Sequence, residues 1–306
     1  MRIVLIGQAA FGERVVRALI DKGEQLVAIY APSDVAARRL DQLKNAAKEL
    51  GIPLFQCQAM SDPEVYGSYC RLEFDLGIMA YVTEVVPKSI LNCPRLGTIQ
   101  YHPSLLPKHR GASAINWAII NGETETGITV FWPDEGIDTG PILLQKEVEI
   151  APDDTVGSLY YDKLFPLGVE GLLEAVDLIR QGVAPRISQH DSQATYEPLC
   201  TEKEVVIDWS QPMQRVYNLI RGSNPQPGAL AYFRGNRLKI FDCQPRSIPR
   251  ENQDGEIVEV SDEGFIVATR GGHILVKHVQ PEEWPKSPAA DYAKSVGLKV
   301  GERLRQ

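Results

Sequence analysis

Two short segments hold the side chains best suited to moving protons. The first is residues 97–111, GTIQYHPSLLPKHRG. On an extended strand, side chains alternate faces, so Gln100 and His102 point one way and Tyr101 the other. Pro103 lacks an N–H and ends regular pairing, which leaves His102 at the C-terminal edge of its strand. An imidazole at that edge can serve as general acid or as hydrogen-bond donor to a developing oxyanion. The second segment is residues 132–140, WPDEGIDTG, where acids and glycines alternate closely enough for backbone to approach a ligand. From there Asp138 can orient His102, hold a positive charge on it, or take a proton from an attacking nucleophile. Ser104, Lys108 and Arg110 lie near a helix start and have the chemistry to hold an acceptor's anionic group. Lys108 reads as structural, and Arg110 stays open. His109, His190, His273 and His278 are scattered and read as surface or packing residues.

The surrounding elements must place these segments on one edge of a sheet. Short β-branched runs open the chain (Ile3–Ile6) and recur at 26–30, 54, 76 and 99, with helical spacing between them, at Phe11, Val15, Ala18 and Leu19 and again over about 34–50. Gly51 fits a left-handed helix cap. Strands alternating with helices indicate an α/β fold, a doubly wound and mostly parallel sheet, whose carboxyl edge binds ligands. A helix over about 114–120 ends at Gly122, a strand follows at 127–131, and a long helix spans about 155–180 with Pro166 predicted to kink it. Beyond residue 183 the composition turns polar. The runs VVIDW, ALAYF, RLKIF, EIVEV, FIVAT and ILVKHV then predict a small β-barrel. The expected division is a catalytic domain over 1–190, a linker over 191–203 and the barrel over 204–306.

Composition narrows the classes. The chain has 306 residues, 43% apolar and 24% charged, with net charge −8, so nothing in the overall charge attracts nucleic acid or an anionic membrane. No run approaches the roughly 18 apolar residues of a membrane span, and the apolar opening before Gly7 is too short for a signal-peptide core. Five cysteines, none in a C-x-x-C pair, read as reduced thiols of a cytoplasmic protein rather than a disulfide framework or zinc site. Gly7 and Gly12 follow the first strand, but neither the dinucleotide fingerprint nor a P-loop is satisfied, so no nucleotide is expected.

Taken together, the motifs resemble the 10-formyltetrahydrofolate-dependent formyltransferases. The likeness runs through IGQAAFG, YHPSLLPKHRGASAINW, DEGIDTG, LLQKE, PDDTV, LFPLGVEG and IRGSNPQPGA, nearly the whole chain. Within that family the chain is most similar to the hydrolase domain of 10-formyltetrahydrofolate dehydrogenase. The resemblance implies a Rossmann-like formyltransferase domain followed by a small OB-like barrel. It also implies 10-formyltetrahydrofolate as co-substrate and no metal. The family's catalytic residues are an asparagine, a histidine two positions on and an aspartate in the acidic loop. His102 and Asp138 match the last two, while Gln100 stands where the asparagine would be, a departure that weighs against efficient transfer to an amine. The implied pterin cleft is walled by Met79, Ala80, Tyr81 and Val82, onward to Val86, and by Asp134, Glu135, Gly136 and Ile137. The acceptor stays open between water, methionyl-tRNA, and an amino sugar or other small amine; a folate-binding protein with little turnover is the non-enzymatic reading. A tRNA acceptor calls for a basic surface, and residues 201–306 carry 15 Lys/Arg against 14 Asp/Glu, which does not favour it.

Overall fold

The computed structural model describes residues 1–33, 41–246 and 252–306. Seven strands form the first sheet: β1 (Arg2–Gly7), β2 (Gln25–Pro32), β3 (Leu54–Cys57), β4 (Leu76–Ala80), β5 (Thr98–His102), β6 (Glu125–Phe131) and β7 (Ile142–Glu149). Their order is β3-β2-β1-β4-β5-β6-β7. The first five run parallel, and β6 pairs antiparallel with β5. β1 and β4 are buried almost end to end, as parallel strands covered on both faces must be. The fold is therefore α/β, Rossmann-like, with a switch point between β1 and β4 where the chain turns from one half of the sheet to the other. Gly7 ends β1 there, and a side chain on it would overlap the carbonyl oxygen of Ala80.

Helices α1 (Ala9–Asp21), α2 (Gln42–Glu49), α3 (Pro63–Cys70) and α4 (Lys88–Leu91) connect the parallel strands. Gly51 closes α2 with φ +65°, as expected of a left-handed cap. Residues 34–40, the start of the helix predicted over 34–50, lie outside the described residues. Side-chain parity on β5 is visible in the packing. Tyr101 faces Phe11 of α1, ring centroids 4.4 Å apart, whereas Thr98 faces the other way and donates to the Leu91 carbonyl of α4. Gln100 and His102 share Thr98's side.

The predicted long helix is three pieces: α6 (Val156–Ser158), a π-helical turn (Leu159–Leu164) and α7 (Phe165–Arg180). Pro166 sits in the first turn of α7 rather than in mid-helix, where its missing N–H is no loss. Gly168 lies on the face of α7 turned to Tyr101, and any side chain there would overlap that ring.

The chain divides into two compact units, the first 1–112, 127–148 and 162–196, the second 113–126, 149–161 and 197–306. The units differ from the simple linear division because α5 (Ala114–Ile120) packs on α8 (Met213–Gly222). Asn116 donates to the carbonyls of Gly222 and Gln226, at 2.9 and 3.1 Å. The second unit carries β8 (Ala229–Phe233), β9 (Asn236–Arg246), β10 (Ile257–Ser261), β11 (Gly264–Thr269), β12 (Gly272–Pro281), β13 (Ser287–Pro288), α9 (Ala289–Val296) and β14 (Leu304–Arg305). Its sheet runs β10-β11-β12-β9-β8-β14 and curls until its two edges meet. Ile257 donates to Glu302, and Leu304 to Gly255, at 2.8 and 2.9 Å. VVIDW, predicted as a strand, forms a single bridge among the described residues, Val206 to Leu230.

The cysteine expectation needs a correction. Cys70, closing α3, and Cys93, just past α4, are joined as a disulfide, with Cα atoms 5.4 Å apart. Helix packing brings together residues 23 apart in sequence, which no spacing rule reads. Cys57, Cys200 and Cys243 are free and buried, and burial pushes the Cys57 and Cys200 thiols up to about 11.

Candidate active site

His102 is the last residue of β5 and only 5% exposed. Its partner across the sheet is Thr129 of β6. The Thr129 hydroxyl donates to the Ser104 carbonyl at 2.6 Å and accepts from the Leu106 N–H at 3.1 Å. The turn leaving His102 is thus fastened to the neighbouring strand and brings the chain back to residue 109. There the His109 carbonyl lies 2.8 Å from His102 Nε2. A carbonyl only accepts, so Nε2 carries a proton and donates it. The other ring nitrogen, Nδ1, lies 3.4 Å from Asp138 Oδ2.

Asp138 is 9% exposed and adopts φ +54°, in the left-handed region. Aspartate visits that region more readily than most residues. Its Oδ2 also accepts from the Gly111 N–H at 2.7 Å, so one carboxylate oxygen joins the two segments that the sequence singled out. Upstream in the same loop, Asp134 Oδ1 accepts from the Gly136 N–H at 3.0 Å and the Thr139 hydroxyl at 2.5 Å. Gly140 has no room for a side chain, which would overlap the Trp132 carbonyl. The acidic loop is a closed turn with its geometry set.

Gln100, two residues before His102 on the same face, is half-buried and its carboxamide has no hydrogen-bond partner among the described residues. Both ring nitrogens of His102 are engaged, so the donor left open beside them is Gln100. The arrangement can move a proton along Nδ1–Asp138 while a neutral amide faces a developing negative charge.

Of the expected cleft walls, Met79 packs its side chain into the core formed with Tyr30, Tyr69 and Ile90, and Ala80 is wholly buried, so both offer backbone only. Tyr81, φ +64°, is 49% exposed, and Val85 and Ile137 are 68% and 57% exposed. Large apolar side chains open to solvent on two segments beside the His102–Asp138 pair suit a flat aromatic ligand. Lys88 Nζ, at the start of α4, stands 3.3 Å from Glu135 Oε1, so the two walls face each other. Ser104 and Arg110, expected on the acceptor side, turn inward. Ser104 is fully buried and donates to the Lys108 carbonyl at 2.7 Å. The Arg110 guanidinium, 2% exposed, is held by Gln189, Asp191 and Tyr196.

Two contributors were missed. The His109 ring is buried, as a packing residue is, while its backbone carbonyl receives His102. The neighbouring Gly111, φ +91°, is the sequence signal of a left-handed turn there. Gln189 donates to the carbonyls of Asp138 and Gly140, at 2.9 and 2.7 Å, from the polar stretch just before the expected linker. Nothing in its local sequence marks it.

Known proteins supply an independent comparison. Residues 1–176 match the formyl transferase family, and residues 200–297 match the formyl transferase C-terminal domain. Cytosolic 10-formyltetrahydrofolate dehydrogenase of Xenopus laevis is 38% identical over 96% of this chain but only 34% of its own length. The chain thus spans about a third of the dehydrogenases it matches. Methionyl-tRNA formyltransferase of Syntrophus aciditrophicus is 36% identical over 98% of this chain and 97% of its own. Among solved structures, HypX from Aquifex aeolicus in complex with tetrahydrofolic acid shares the fold, with TM-score 0.71, 20% identity, and coverage of 99% of this chain and 48% of that one. With the His102–Asp138 pair on the carboxyl edge of such a sheet and both domain matches in order along one chain, the protein belongs to the formyl transferase family.

Proposed function

We propose that the chain removes the formyl group from 10-formyltetrahydrofolate in the cytoplasm, with water as an acceptor it can use unaided. The observation that carries this reading is the His102 imidazole fixed between a carboxylate and a carbonyl, beside an uncommitted Gln100 amide. Tyr81 and Val82 on one side and Asp134, Glu135, Gly136 and Ile137 on the other are the side chains assigned to the folate, with Met79 and Ala80 contributing backbone. Residues 1–190 form the folate-binding catalytic part.

In this reading the water oxygen bonds to the formyl carbon, and the C=O electron pair moves onto oxygen facing the Gln100 amide. Asp138 and His102 take the water's proton. Collapse of the tetrahedral intermediate breaks the bond to the folate nitrogen, which receives that proton, and formate leaves. Transfer to an amine follows the same steps with nitrogen in place of the water oxygen. Methionyl-tRNA as acceptor is the second reading, favoured by the match over 97% of the Syntrophus enzyme's length.

Measuring tetrahydrofolate released from 10-formyltetrahydrofolate separates the readings. Release in buffer alone supports hydrolysis. Release only after methionyl-tRNA or an amino sugar is added supports transfer. Tight folate binding without product under all three conditions overturns the enzymatic reading.

A further inference from the structure

Each nitrogen of His102 meets a residue whose backbone is held in the left-handed region. Asp138 at Nδ1 has φ +54° and His109 at Nε2 has φ +55°. Such a conformation is uncommon for a residue with a side chain, less so for Asp and His, and is kept where the surroundings hold it. The same short segment supplies the restraint in both cases. Gln189 donates its amide to the carbonyls of Asp138 and Gly140. Thr195 Oγ1 accepts the His109 N–H at 2.8 Å.

Other bonds make the segment one piece with the loop it holds. Gln189 Oε1 accepts from Arg110 Nε and Nη2, at 3.1 and 2.8 Å. The Arg110 N–H donates to the Thr195 carbonyl at 3.0 Å, and the Thr195 N–H to the Pro107 carbonyl at 3.3 Å. We infer that Gln189 and Thr195 are positioning residues, two ends of a strap over 189–195 that sets the orientation of the His102 imidazole between its carbonyl and carboxylate partners. Neither residue is assigned to touch the substrate. The inference rests on the proposed role of His102, but its physical content, one imidazole held in one orientation, does not.

The physical consequence is specific. If the His109 carbonyl swings away, the proton on Nε2 loses its acceptor, and the ring keeps only its contact with Asp138, about which it can turn. If the Asp138 backbone relaxes, Oδ2 leaves both Nδ1 and the Gly111 N–H. Either change misdirects proton transfer without altering the walls assigned to the folate.

The test uses the full chain and two variants. Gln189→Glu keeps an acceptor for Arg110 and loses both donors to the acidic loop. Thr195→Val removes the hydroxyl while leaving the backbone bonds of residue 195. Nitrogen-15 spectra of His102 should show one Nε2–H resonance slow to exchange with solvent in the wild-type protein, and a shifted or faster-exchanging one in each variant. Turnover of 10-formyltetrahydrofolate should fall about tenfold or more in kcat, with KM for the folate within about threefold. Variants that stay folded with unchanged His102 spectra and unchanged kcat overturn the strap. So does a drop in thermal stability with the His102 spectrum intact, since that is a purely structural role. Should Gln189→Glu fail to fold, the exposed Thr195 carries the test. A wild-type chain inactive with every acceptor defeats the proposed function, and the spectra still decide the strap.

Discussion

Two buried histidines, one in each compact unit, show what burial does and does not accomplish. His102 and His273 are 5% and 3% exposed, and both lie on strands. His102 has a carbonyl at one nitrogen and a carboxylate at the other. His273 has Asn252 Oδ1 3.4 Å from Nε2, and its Nδ1 has no hydrogen-bond partner among the described residues. Burial alone makes His273 harder to protonate, and its pKa falls below the ordinary 6.5. The lesson is that a site is recognised by complementary partners at both ring nitrogens rather than by the depth of the ring.

The strongest way to break this comparison is to remove the partners of His102. His102→Asn or Asp138→Asn should lower the deformylation rate by about 10²–10⁴-fold, the usual contribution of a general acid–base group. His273→Gln, measured in the same assay, should change it by less than about twofold. Comparable losses for both histidines would mean that burial rather than partnership had been measured.

Next in size is the loop that holds Asp138. Gly140→Ala places a methyl against the Trp132 backbone carbonyl, which cannot move aside as a side chain would. Overpacking of this kind costs about 1–3 kcal/mol, so chemical denaturation should show reduced stability and turnover should drop with it. Unchanged stability would show that the turn has slack.

A subtler change sharpens the comparison at Gln100. Gln100→Asn shortens the open amide beside His102 by one methylene. It should shift the ratio of hydrolysis to amine transfer, read as formate against formylated amine. An identical ratio would make Gln100 a bystander.

The smallest expected effect is in acid. Because His273 binds a proton less readily folded than unfolded, the unfolded chain takes up the proton first as pH falls. The stability contribution is therefore complete above the ordinary pKa near 6.5 and is lost as pH falls below it. Thermal unfolding from pH 7.5 to 5 should show this decline, and His273→Gln should flatten it. A variant with the same slope would assign the acid sensitivity elsewhere.

Some of this was legible along the chain. Alternation on β5 put Gln100 and His102 on one face, Pro103 set the end of the strand, and WPDEGIDTG was readable as a tight acidic loop after another strand. Those are local facts, governed by the two-residue period of a strand and by the torsional limits of proline and glycine. The strand predicted at VVIDW failed because a β-branched run needs a partner along its length, and Val206 finds one at a single position. The inward turn of Ser104 and Arg110 was invisible for a related reason. Whether a polar side chain serves a ligand or its own fold depends on neighbours that local spacing does not reveal.

Sequence alone determined the repertoire: an imidazole at a strand end, a carboxylate in a constrained loop, an amide two residues upstream, and an α/β sheet to carry them. Tertiary structure decided how that repertoire is used. Gln189 reaches Asp138 across 51 residues and Thr195 reaches His109 across 86. Cys70 meets Cys93 only because two helices lie side by side. The physical reason is that hydrogen-bond geometry is fixed by the relative placement of whole elements, and that placement comes from burying apolar faces far apart in the chain.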